Sequence, residues 1–208
     1  MRMGGTISKW KFRGVVSNKQ HFGGENMAID KIYEYLRSYD RQTYQIVACG
    51  DNPPTEKDIS DFEAQYNIHL PSDFRKFTMS SLGGFYMEVR EEVWPRAQAF
   101  EVRSAWSFWY GIIVYGIADD IPDFLDIRMK TEELHDQGFT EYIPFMSVIG
   151  DDGNIYCFDE DNNIVLLSYY ATGEATQIDG SFEDCLLRQM EELEERKNRK
   201  IRDEDKKV

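Results

Sequence analysis

Apolar and polar positions along this chain repeat in two periods, 3.6 and 2, and the switches between them mark out its elements. Met27, Ile32, Tyr35, Leu36 and Tyr39 recur at helical spacing and predict a helix over 26–39. Gln45 to Ala48 has the make-up of a short strand. Asp51-Asn52-Pro53-Pro54 breaks the pattern, and the main domain is expected to start there. Thr55 suits an N-cap, with Asp58 three residues on as a short form of the capping box. Ile59, Phe62 and Tyr66 then share one face of a helix that ends near Asn67. Leu70-Pro71-Ser72-Asp73 opens a second helix, with Phe74, Phe77, Thr78 and Leu82 as its apolar stripe. Gly83-Gly84 is expected to close it, because glycine accepts the left-handed conformation. The two helices make a hairpin.

Period-two text follows. Phe85 to Val89 alternates, and 99–103 and 106–117 are rich in aromatic and β-branched residues, so all three read as strands. Thr131 is expected to cap a short helix running to Gln137. Ile143-Pro144-Phe145-Met146 reads as extended, since the residue before proline is pushed out of the helical region. Asn154 to Asp159 and Ile164 to Tyr170 read as two strands joined by a loop at Glu160-Asp161-Asn162-Asn163. Ser181 caps a last helix, with Phe182, Leu186, Met190 and Leu193 as its buried stripe. Beyond Leu193 the text is charged and is expected to be a solvated extension. Lys9 to Arg13 alternates basic and aromatic residues, which suggests a strand. The sum is an α+β fold: an N-terminal helical hairpin, a mostly antiparallel sheet and a C-terminal helix. Residues 1–50 are read as an N-terminal extension, 51–194 as the domain and 195–208 as a charged tail.

Charge narrows the function. The 208 residues hold 24 basic and 38 acidic side chains, a net charge of −14. Residues 1–25 carry five basic residues and one acidic, and 191–208 carry seven of each, so 26–190 hold a net −18. A nucleic-acid binder needs a basic field, so direct nucleic-acid binding is not expected. The field either keeps a soluble protein apart by self-repulsion or steers a basic partner. Cys49, Cys157 and Cys185 are far apart and odd in number, without CxxC, which argues against a zinc knuckle or a disulfide scaffold and for a reducing compartment. The longest apolar stretch, Trp106 to Ala118, is too short to span a membrane, so a cytoplasmic protein is expected.

Catalytic motifs are sparse. His21, His69 and His135 are isolated, and neither HExxH, GxSxG nor a Walker loop occurs. Asp159, Asp161 and Asn163 match the first ligands of an EF-hand, but its glycine and its bidentate glutamate would fall on Ile164 and Tyr170. No metal or cofactor is expected. A hydrolase with a carboxylate pair drawn from Asp119, Asp120, Asp123, Asp151, Asp152 and Asp159 is an alternative, though such turn residues keep ordinary acidity. The aromatic run Trp106, Phe108, Trp109, Tyr110 and Tyr115 reads as core strand or as a recognition face.

Several blocks together resemble a known family. Glu63, Tyr66-Asn67-Ile68, Leu70-Pro71-Ser72-Asp73-Phe74, Phe77 and Gly83-Gly84 resemble the opening of the SUKH superfamily, the Smi/Knr-like domain. Ile143-Pro144-Phe145, Gly150-Asp151-Asp152-Gly153, Tyr156-Cys157-Phe158-Asp159 and Ser181 to Leu186 resemble its later strands and final helix. Residues 90–140 depart from the pattern. The resemblance implies an α+β fold and a non-enzymatic role as an immunity protein that binds and neutralises a cognate bacterial toxin, often a nuclease. Relatives that scaffold cellular signalling make a regulatory role the alternative. An acidic inhibitor suits a basic toxin, and the partner contacts expected are Asp119, Asp120, Asp151, Asp152, Asp159, Glu160, Asp161, Trp106 and Trp109. The protein is expected to be a monomer or a weak homodimer.

Overall fold

The structure is a computed structural model that describes residues 30–50, 52–97, 104–119 and 121–205. The expected strands at 9–13 and 99–103, the first turn of the 26–39 helix and Asp120 lie outside these residues. Among the described residues the helices are α1 (Asp30–Ser38), α2 (Glu56–Tyr66), α3 (Ser72–Thr78), α4 (Ile127–Asp136) and α5 (Phe182–Asp205). The strands are β1 (Tyr44–Ala48), β2 (Phe85–Val89), β3 (Gly111–Val114), β4 (Ile143–Ile149), β5 (Ile155–Phe158), β6 (Ile164–Ser168) and β7 (Glu174–Ile178). They form one sheet in the order β1-β2-β3-β4-β5-β6-β7, every neighbour antiparallel. The fold is α+β, as the pattern predicts.

Local chemistry sets the hairpin. Thr55 and Asp58 close a complete capping box at the start of α2. Asn67 ends the helix in the left-handed conformation at φ 54° and returns its N–H to the Glu63 carbonyl. The Glu63 carboxylate then reaches across the turn and accepts the Leu70 N–H at 2.8 Å. The last helix opens the same way, with Ser181 and Asp184 exchanging hydrogen bonds.

The core collects around Phe74, which lies 5.0 Å from Phe182, 5.2 Å from Phe158 and 6.2 Å from Phe145, ring centre to ring centre. α5 lies on the sheet face that holds Tyr156 and Phe145, while Tyr115 on the opposite face donates to Ser147 Oγ at 2.8 Å beneath α4. With both faces covered, β4 buries five of its seven residues, which is why Ile143 to Ile149 reads as a nearly continuous apolar run.

Four local expectations change. Residues 105–108 form a 3-10 turn, and the strand starts only at Gly111. Trp94 lies fully buried beside that turn and donates its indole N–H to the Ser107 carbonyl at 3.1 Å, a contact no local pattern encodes. α3 stops at Thr78 under Met79, so Gly83-Gly84 does not end it. The pair is needed for close approach instead: a Cβ on Gly83 would meet the Thr78 carbonyl oxygen at 2.2 Å, and one on Gly116 would meet Gly84 N at 2.4 Å. α4 is capped by Asp126, five residues earlier than expected, and Thr131 is buried inside it, bonded to the Ile127 carbonyl at 2.7 Å. α5 does not give way to a solvated extension after Leu193 but runs on to Asp205 against the body. There Tyr44 of β1 donates its hydroxyl to Glu194. Arg196 Nε donates to the Trp109 carbonyl at 3.1 Å, and Lys200 is buried. β1 and α5 therefore clasp one another across the sheet edge.

Candidate functional site

The register sorts the expected contact residues onto two ends of the sheet. At one end lie Gly111, Ile149, Ile155 and Ser168, with the turn that carries Asp151 and Asp152. At the other lie Val114, Ile143, Phe158 and Ile164, with the tip Asp159-Glu160-Asp161 and, beyond β3, Asp119. No single patch gathers them all.

The first end brings Trp106, Trp109 and Asp151 together. A Cβ on Gly150 would come within 2.3 Å of the Phe108 carbonyl oxygen, so the Asp151 turn packs directly on the 3-10 turn. The Arg199 guanidinium lies 4.1 Å above the Trp106 ring, and Trp94 meets that ring edge-on at 6.3 Å. Trp106 and Trp109 are half-buried, and each is in contact with an arginine of α5. Beside them an open groove of about 280 Å³ is lined by Glu192, Glu195, Arg196, Arg199 and Arg202. Burial pulls the Arg196 guanidinium below its usual pKa, although Glu192 at 3.4 Å opposes this.

The carboxylates divide by duty. Asp159 accepts the N–H of Asp161 at 3.0 Å, the N–H of Asn163 at 2.7 Å and the Asn163 amide at 3.0 Å, so it builds its own turn. Both carboxylate oxygens of Asp151 accept from the Asn154 amide nitrogen, at 3.0 and 3.1 Å. Asp119, Asp152, Glu160 and Asp161 are exposed and point charge at solvent. Asp120 lies outside the described residues.

One contact candidate was not legible in the chain. Phe124, in a 3-10 turn five residues after Asp119, is 52% exposed and rests edge-on against Tyr86 at 6.2 Å. Its signal was only an aromatic residue inside an acidic turn. Arg128 pins that loop by pairing with Asp126 at 2.9 Å and donating to the Ala118 carbonyl at 3.2 Å.

The histidines and the buried cysteines do not converge on one site. His135 holds the Tyr142 carbonyl at 3.1 Å and stacks edge-on against Tyr66 at 5.3 Å, and His69 is exposed. Burial raises the Cys157 thiol pKa strongly and pushes Cys185 up to about 12, which suppresses both thiolates. Among the described residues no group of three or more acidic, histidine or cysteine side chains could hold a metal ion. Among them no helix is long and apolar enough to cross a membrane.

No curated protein matches the chain. The family model of the SMI1 / KNR4 family (SUKH-1) matches residues 53–188, from the break before α2 into α5. With most of the sheet and the capped helical hairpin inside that match, the chain belongs to the SMI1/KNR4 (SUKH-1) family.

Proposed function

We propose that this chain is a non-enzymatic immunity protein that binds and neutralises a cognate bacterial toxin of basic surface, acting in the cytoplasm. Membership of the SUKH-1 family carries this reading. The net −18 over residues 26–190 supports it, since an acidic field speeds encounter with a basic nuclease-type partner and favours it over acidic competitors. The exposed carboxylates Asp119, Glu160 and Asp161 stand at one end of the sheet, and exposed Phe124, five residues after Asp119 in the chain, offers an apolar anchor. Charge there sets the association rate, and the aromatic sets the residence time.

The test is capture of partners from native cells with the tagged protein, identified by mass spectrometry. Recovery of one basic toxin, or its C-terminal domain, whose activity the purified protein abolishes is the expected outcome. Recovery of cellular regulators alone overturns the immunity reading in favour of a scaffold. With a toxin in hand, Glu160→Lys combined with Asp161→Lys should slow association by about tenfold at low salt and leave the fold intact. Asp159 is left unchanged because its side chain builds the turn.

A further inference from the structure

β7 is the last strand of the sheet, paired to β6 through five unbroken positions from Ser168↔Glu174 to Ile164↔Ile178. Among the described residues nothing pairs with its other side. Its side chains from Glu174 to Gln177 are exposed and Ile178 is half-buried. Edge strands are normally blunted by proline, lysine, a bulge or a covering element. β7 has no proline or lysine and no break in register. The opposite edge differs: β1 buries Tyr44 and half-buries the rest, and α5 clasps it. The β1 edge has its Tyr44 side chain tied to α5, whereas β7 offers a row of main-chain donors and acceptors with no partner among the described residues.

Carboxylates outnumber cations around that open edge. Glu174 begins the strand and Asp179 follows it. The tip bearing Glu160 and Asp161 stands at the same sheet end as Ile178. Arg188 is the nearby cation, and it is engaged with the Asp179 carbonyl at 3.0 Å. In the turn before the strand, Tyr170 is 66% exposed, its ring open to a cation.

We infer that the open edge of β7 docks an extended lysine- or arginine-rich strand of a protein partner, which joins the sheet as an eighth strand. This rests on the protein-partner reading above and adds the edge and the chemistry of the occupant. Main-chain hydrogen bonds supply the attachment, and the alternate side chains of the incoming strand meet Glu174, Asp179 and Tyr170. A second copy of this chain fits poorly. Antiparallel self-pairing centred on Thr176 would set each Glu174 opposite Ile178 and beside Asp179 of the other copy, placing like charges together.

The test uses the full chain and a capped peptide of about ten alternating lysine and valine residues, long enough to cover one strand. A glutamate–valine peptide is the control. Backbone amide NMR reads which protein amides shift and gain exchange protection. Alternate amides on an edge strand face outward, so of Ala175→Pro and Thr176→Pro one removes an outward N–H and the other a ladder N–H. Thermal melting identifies the outward variant as the one that keeps the fold. The expected result is protection of β7 amides by the lysine peptide alone. Affinity should drop at least about tenfold in the outward proline variant and in Glu174→Lys with Asp179→Lys.

Four results overturn the inference. They are β7 amides unmoved at millimolar peptide, equal binding of the glutamate peptide, shifts confined to Glu160 and Asp161, and a concentration-dependent β7 shift without peptide, which would assign the edge to a second copy. The two proposals fail separately. A toxin that binds wild type and the outward proline variant equally removes the edge inference and leaves the immunity reading. Peptide docking on β7 with no toxin among the captured partners removes the immunity reading and leaves the edge.

Discussion

Replacing Glu63 by alanine should unlock the helical hairpin. The residue is 9% exposed although it carries a carboxylate, and its position follows from what it holds. One carboxylate oxygen accepts the buried Leu70 N–H at 2.8 Å and lies 2.6 Å from Arg75 Nη1. Alanine leaves the Leu70 donor buried without an acceptor, a cost of about 1–3 kcal/mol. Losing the Arg75 contact adds about 0.5–1 kcal/mol, because Arg75 is partly exposed and keeps Glu56 as a partner. The expected total is about 1.5–4 kcal/mol. Glu63→Gln keeps an acceptor for Leu70 and gives up only the charge, so it should cost about 1 kcal/mol. Urea unfolding checks both, read as a lower midpoint at unchanged slope. A Glu63→Ala protein within about 0.5 kcal/mol of wild type, or a glutamine variant as unstable as the alanine one, would refute the brace.

Phe74→Ala should cost about 3–5 kcal/mol in the same assay, against less than about 0.5 kcal/mol for exposed Phe124→Ala, and equal losses would contradict the ring cluster. Truncation after Leu193 removes Glu194 from Tyr44 and Arg196 from Trp109, and should cost at least about 2 kcal/mol by denaturant titration. A solvated tail would cost nothing. Hydrogen bonds from Thr55 hold Asp58 below the ordinary carboxylate pKa, and those from Ser181 do the same for Asp184. Carboxylates depressed in the folded state stabilise above their unfolded pKa near 3.8 and lose that contribution as pH falls through the folded values. Stability measured below about pH 4 should therefore fall less steeply in Asp58→Asn than in wild type. Cys157 and Cys185 should resist alkylation at neutral pH until the protein unfolds, which mass spectrometry of the labelled protein can follow.

How much of this was legible depends on the range of the interaction. The capping pairs Thr55–Asp58 and Ser181–Asp184 span three residues, so their spacing announced both helices. The faces of α2 and α3 were legible because one-sided burial leaves a helical period. β7 was not, because Glu174 to Gln177 are exposed on both faces and alternate nothing. Aromatic content made 106–110 look like a strand, yet the segment turns around Trp94, twelve residues from Trp106 in the chain. Turn position was legible for Asp151 and Asp159, but the hydrogen bonds by which each carboxylate braces its own loop were not.

The sequence by itself determined the α+β order of most elements, the capping boxes of α2 and α5, the apolar stripes of the hairpin and the acidic character of the body. Each of these is a property of composition or of neighbours within a few residues. Tertiary structure decided that β1 and the end of α5 meet through Tyr44, that Gly83, Gly84 and Gly116 pack backbone to backbone, and that β7 has no strand partner on its outer side among the described residues. Those outcomes depend on contacts such as Tyr44 with Glu194, where the partners lie 150 residues apart and nothing in the chain between them carries a period that names the match.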